Sequence, residues 1–181
     1  MIVEIPRYIK QHNQNITLYI DLMYICTQGF LTCVDSPITY RLVQHGVKKK
    51  GTNFAEACEK ITQRYNNAGY TVGLIRIDRE FEHLQREIAR LTGAEVNFEN
   101  SYDHQRVAER NNRTIQERFR CTSHGIPFER LPPTPIVEGT HRVTEALNLI
   151  PTIKQKYSPY NMLHHRKPNF RFWKYPFGCY V

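Results

Sequence analysis

The sequence predicts an α/β fold: a five-stranded mixed sheet, made of a three-stranded antiparallel meander plus two further strands, flanked by helices. Three runs rich in β-branched and aromatic residues follow one another across residues 16–43 with only turns between them. Two more strand-like runs, at 71–77 and 94–98, are each preceded by a helical pattern. A chain of 181 residues, 40% apolar and 12% aromatic, suffices for one globular domain and excludes collagen-like, coiled-coil and wholly disordered chains.

Taken in order, Ile16–Ile25 reads as a buried strand interrupted by one charge, Asp21. A turn at Gln28-Gly29, a strand at 30–34, a turn at Asp35-Ser36-Pro37 and a strand at 38–43 complete the meander. Lys48-Lys49-Lys50-Gly51 reads as a solvated loop. Asn53 and Glu56 resemble a capping box, and Phe54, Ala57, Cys58, Ile61 and Tyr65 recur at helical spacing, so a helix spans about 54–67 and stops at Gly69. The strand at 71–77 delivers Asp78 at its end, a short helix at 81–92 ends at Gly93, and the strand at 94–98 follows. After a polar loop at 99–105, a long helix runs from Arg106 to about Ser123. Pro127, Pro132, Pro133 and Pro135 mark a break before a helix at about 136–149, ended by Pro151. This order, β-β-β-α-β-α-β-α-α, is that of the ribonuclease-H-like fold. The domain expectation is a core over 14–150 and a basic, aromatic extension over 151–181 packing on it.

The charge is unevenly distributed. Residues 1–105 hold 12 basic and 12 acidic side chains, whereas 106–181 hold 13 basic and 5 acidic, so the whole net charge of +8 sits in the second part. A polyanionic partner is expected there. The total alone fits nucleic acid or an anionic membrane surface, but no apolar run approaches a membrane span. Five cysteines, odd in number and widely spaced, read as reduced core thiols, and no Cys/His spacing suits structural zinc. The first residues lack the features of a signal peptide, so an intracellular protein is expected.

Three carboxylates stand out by position: Asp21 inside the first strand, Asp78 at the end of the fourth, and Glu109 in the first turns of the long helix. In a ribonuclease-H-like sheet those strands are neighbours and the helix packs beside them. Carboxylates so close repel unless divalent cations lie between them, and an all-oxygen donor set suits Mg²⁺ or Mn²⁺. Two such ions, about 3.5–4 Å apart, activate a nucleophile and stabilise the leaving oxygen of a phosphodiester. A buried Asp21 has no bland explanation, whereas Asp78 alone reads as a helix cap and Glu109 alone as a partner of Arg113. Glu109, Arg113, Gln116 and Arg120 share one helix face, suited to a metal at one end and phosphates along it, while Ala108, Ile115 and Phe119 turn to the core.

Four motifs in unbroken order then resemble the integrase catalytic domain of long-terminal-repeat retrotransposons, most closely the copia type. Ile20-Asp21-Leu22 resembles the first catalytic aspartate, and Ile77-Asp78-Arg79-Glu80-Phe81 a shortened form of the Asp-Asn-Gly-x-Glu-Phe motif. Ala108–Ile115 is similar to Ser-Glu-Arg-x-Asn-Arg-Thr-Ile, and Ser158-Pro159-Tyr160 with Arg166-Lys167-Pro168-Asn169 and Phe177-Gly178 to the run that ends the family's domain. The resemblance implies a polynucleotidyl transferase that trims the 3′ ends of element DNA and joins them to target DNA. It implies Asp21, Asp78 and Glu109 as catalytic and metal-holding residues and Mg²⁺ or Mn²⁺ as cofactor. Asn112, Arg113, Gln116, Arg120, Arg166 and Lys167 are the expected nucleic-acid contacts. DNA is the expected partner, no membrane is expected, a homo-oligomer stays open, and a eukaryotic, active form would work in the nucleus. The sequence departs from the family in three places. Thirty residues separate Asp78 from Glu109, fewer than is usual, the Asn-Gly after Asp78 is missing, and Tyr102-Asp103-His104-Gln105 replaces the usual Pro-x-x-Asn-Gly. Two alternatives remain: a catalytically decayed or domesticated nucleic-acid-binding remnant of a retroelement, and a ribonuclease-H-type nuclease. His164-His165 reads as a basic surface turn and the tail aromatics as packing residues.

Overall fold

A computed structural model describes residues 2, 4–12, 14–47, 53–99, 106–126, 130–152, 155–173 and 177–178. The expected loops at 48–51 and 102–105 lie outside these. The elements are α1 (Arg7–His12), β1 (Asn15–Ile25), β2 (Gln28–Ser36), β3 (Arg41–His45), α2 (Asn53–Asn67), β4 (Thr71–Asp78), a 3₁₀ turn (Arg79–Leu84), α3 (Gln85–Thr92), β5 (Glu95–Glu99), α4 (Arg106–Ser123), α5 (Pro133–Leu149), α6 (Pro159–His164) and a 3₁₀ turn (Phe170–Trp173).

The sheet has the order β3-β2-β1-β4-β5. β1 pairs antiparallel with β2 and parallel with β4, and β4 pairs parallel with β5, which makes the sheet mixed as expected. Alternation along β1 divides its side chains between two layers. Ile16, Leu18, Ile20 and Leu22 join the apolar cluster under α2 and α3, whereas Met23 and Ile25 join Ile115 and Phe119 of α4 and Ile136 of α5. Asp21 therefore faces α4 rather than the larger core.

Several boundaries move, each for a local reason. The first turn is Cys26-Thr27, not Gln28-Gly29: Ile25 pairs with Gln28, and Cys26 carries the positive φ of 53°. The third strand begins at Arg41 because Ile38–Tyr40 form a turn around the Asp35 carboxylate, which accepts from Thr39 N (2.8 Å) and Tyr40 N (3.1 Å). Asp35, read in sequence as a turn residue, is only 2% exposed. Asn53 is the first residue of α2, and its amide donates to Gly46 O instead of capping the helix. Pro133 and Pro135 occupy the first turn of α5, where a missing N–H costs nothing, so that helix starts three residues early. The tail, which has no sequence period, contains α6, whose Met162 and Leu163 enter the larger core while Tyr70 donates to Met162 O (2.7 Å). Of the cysteines described, Cys33 and Cys58 are core thiols as expected, but Cys26 and Cys121 are exposed. Among the described residues no helix is long and apolar enough to cross a membrane.

Candidate active site

The pairing of β1 with β4 ends at Ile20↔Ile77, both buried in the larger core, so the next residues, Asp21 and Asp78, turn together to the opposite layer. Adjacent strands lie about 4.8 Å apart, which sets the scale of that approach. Asp78 stays in place because the segment after it is pinned. Its Oδ1 accepts from Glu80 N at 3.4 Å, starting the 3₁₀ turn, and Phe81 three residues on is buried and stacked on Phe54 of α2 at 4.1 Å. The bland reading of Asp78 as a cap thus holds locally, while the same turn leaves Glu80 exposed beside it.

α4 lies across β1 and β2. Ala108, Ile115 and Phe119 are buried as the pattern predicts, and the next stripe meets the sheet's polar spot. Asn112 donates from Nδ2 to Asp21 Oδ2 at 2.8 Å and accepts at its Oδ1 from the Thr32 hydroxyl at 2.6 Å. Thr32 is directly opposite Asp21 in the β1–β2 register and also lies 3.1 Å from Asp21 O. The other carboxylate oxygen of Asp21 accepts from Leu22 N at 2.7 Å. Gln116, one turn further along α4, donates to Tyr24 O at 3.2 Å and so fixes the helix along the strand.

Burial pushes the Asp21 carboxyl up to about 6. The Leu22 N–H opposes that shift, and the negative fields of Asp78, Glu80 and Glu109 add to it. The structure thus brings the fields of Asp78 and Glu109 to bear on Asp21, with Glu80 as a fourth carboxylate. As the side chains lie, however, no three acidic, His or Cys groups among the described residues stand close enough to hold one ion. The donor chemistry nevertheless fits a divalent cation: hard oxygens, mutual repulsion and a half-buried carboxylate whose charge burial makes costly without a counter-ion.

The expected nucleic-acid contacts divide into two groups. Asn112, Arg113, Gln116 and Arg120 line one depression along α4, together with Glu109 and Glu117. Arg166 and Lys167 are not part of it. They line a separate cavity beside β3, with Arg64 of α2 and Arg142 of α5. Sequence reading missed Thr32, although a lone Thr among Phe30, Leu31, Cys33 and Val34 was a signal. It also gave Glu80 no role of its own and had no means of joining Arg64 or Arg142 to the tail, since no local pattern links those segments.

Comparison with protein-family models and with curated proteins finds no match. Among solved structures, the crystal structure of the catalytic core domain of BIV integrase is similar, with a TM-score of 0.59 and 16% identity. The likeness covers 82% of this chain and 93% of that one. At that identity the likeness is one of architecture, and the chain has the ribonuclease-H-like fold of an integrase catalytic core.

Proposed function

We propose that the chain is the catalytic core of a copia-type retrotransposon integrase, which processes the 3′ ends of element DNA and transfers them to target DNA. The observation that carries this reading is Asp21: a carboxylate in the middle of the central strand, under α4, within the fields of Asp78, Glu80 and Glu109. Asp21, Asp78 and Glu109 would hold Mg²⁺ or Mn²⁺, which when bound supplies an activated nucleophile and charge stabilisation at the phosphodiester. The chain's own residues do the positioning. Asn112 and Thr32 fix the Asp21 carboxylate, and the bond from Gln116 to Tyr24 O sets the helix that carries Glu109. Arg113 and Arg120, which line the same depression as Glu109, would neutralise DNA phosphates along that line.

Asp21→Asn, Asp78→Asn and Glu109→Gln should each reduce Mn²⁺-dependent strand transfer on short duplex DNA to background while leaving the circular dichroism spectrum unchanged. Retained activity in any one of them rejects the site. A second reading, nucleic-acid binding without catalysis, is favoured by the protein donor that each Asp21 oxygen already accepts from. Its mark is DNA affinity that responds neither to metal nor to these three substitutions.

A further inference from the structure

The cavity beside β3 belongs to no part of the reading above. It is about 580 Å³, within the range of sites for small organic ligands. Among the described residues its charged lining is Arg64, Arg142, Arg166 and Lys167 against a single carboxylate, Glu145. Three distant stretches of chain supply these groups, so the concentration of charge is a product of the fold.

Two arginines on its wall each meet an aromatic side chain, one at its hydroxyl and one at its ring face. Arg166 Nε donates to the Tyr160 hydroxyl at 3.2 Å, and the Arg142 guanidinium lies 4.8 Å from the centre of the Trp173 ring. The backbone of Arg166 is fixed twice, by a β-bridge to Ile2 and by the Asn161 amide donating to its carbonyl at 3.0 Å. Tyr160 continues a column of rings: it packs on His164 at 4.5 Å, and His164 packs on Tyr40 at 5.7 Å and meets its hydroxyl at 3.2 Å. The His164 imidazole is held below its usual pKa by burial and by the neighbouring Arg166, Arg64 and His165 charges, in keeping with an electropositive cavity. Oriented guanidinium groups beside flat apolar rings match a ligand that is anionic at one end and a planar heterocycle at the other. An acidic peptide would use the cations but not the rings.

We propose that this cavity is a second site, independent of the Asp21 centre, which binds a nucleoside phosphate with its phosphate on Arg166, Lys167 and Arg64 and its base against Tyr160 and Trp173. The ligand is either a free nucleotide or one unit of a single strand, since both present the same chemistry.

Trp173 is the only tryptophan in the chain, so its emission reports on the site directly. The intact chain is titrated without metal with dAMP, a short oligodeoxyadenylate, inorganic phosphate and polyglutamate. Saturable quenching by dAMP or the oligonucleotide, and none by polyglutamate, is the expected result. Equal potency of the two nucleic ligands points to a free nucleotide, and at least tenfold tighter oligonucleotide binding to a strand unit. The double variant Arg166→Ala, Lys167→Ala should weaken binding at least tenfold, with Arg64→Ala, on the exposed side of α2, as the second variant if the first does not fold. No quenching by either nucleic ligand, an equal response to polyglutamate, or unchanged affinity in the charge variants overturns the proposal. Because metal is absent throughout, failure here leaves the strand-transfer reading untouched, and loss of strand transfer leaves this site untouched.

Discussion

Asp21 shows how one side chain can be costly to the fold and central to the proposed site. Its carboxylate is half-buried among other negative charges, and two donors offset only part of that cost. Asp21→Asn should therefore stabilise the metal-free protein at pH 7 by about 1 kcal/mol, a rise of roughly 2–4 °C in Tm. The polar chain can accommodate the amide. If the Asn112 side chain flips, its oxygen accepts from the new NH₂ group and its own NH₂ donates to the Thr32 hydroxyl, which still donates to the carbonyl of residue 21. Asn112→Ala has no such exit. It leaves Asp21 Oδ2 without its donor, while the Thr32 hydroxyl keeps only Asp21 O, and should cost about 1–2 kcal/mol. Chemical denaturation of the two variants should give shifts of opposite sign, and a shared sign would show that burial does not dominate at Asp21.

At the scale of elements, the position of α4 is decided by what it packs against. Its inner face meets β1 and β2, and its far end meets α5, where Gly139 allows close approach. A Cβ at Gly139 would stand 2.9 Å from the Phe119 ring of α4 and 3.0 Å from the Phe177 ring. Gly139→Val should thus destabilise by about 1–3 kcal/mol, despite the gain in helix propensity, because two rings must shift. Thermal denaturation checks the sign. The helices themselves were legible from periodicity: α2, α4 and the stop of α3 at Gly93, with φ of 69°, stand where the pattern placed them. The division of the expected 81–92 helix into a 3₁₀ turn at Arg79–Leu84 and α3 was not, since the turn depends in part on Phe81 reaching Phe54 in α2. Nor was α6, six residues long and too short for a period to show.

For the whole molecule, pH and salt report on the two kinds of charge it carries. Asp35 is fully enclosed, and burial pushes its carboxyl up to about 7 although Tyr65, Thr39 and Tyr40 all donate to it. Folded Asp35 thus binds a proton that unfolded Asp35, with its ordinary pKa, has lost, so the native state holds more protons near neutrality. Stability must then fall as pH rises through 7, by about 1 kcal/mol between pH 6.5 and 8. Urea denaturation across that window checks the sign, and a rise would show that Asp35 stays ionised in the fold. The basic second part acts through solvent instead. Under the proposed function DNA affinity falls steeply with salt, and Arg113→Ala or Arg120→Ala should each lower the log–log slope by about 1 if its side chain meets a phosphate. An unchanged slope removes that residue from the contact surface.

The sequence by itself determined what is local: the order of the five strands and of α2 to α5, the inner stripe of α4, the charge of the last 76 residues, and the three carboxylates marked by their places on those elements. Each is set by side-chain period, turn chemistry or composition within a few residues. The tertiary structure alone decided what is long-range. Asp35 reads as part of a polar turn until Tyr65, thirty residues on, closes over it. Asn112 is one of two adjacent asparagines until β1 and β2 place Asp21 and Thr32 beneath it, while Asn111 is buried next to it with both amide atoms unpartnered. Arg166 and Lys167 belong by sequence to the same basic half as Arg113, but Tyr40, α2 and α5 close a different cavity around them. Like the site at Asp21, that separation comes from strand pairing and layer packing, which join residues about a hundred positions apart and leave no trace in any short window of the chain.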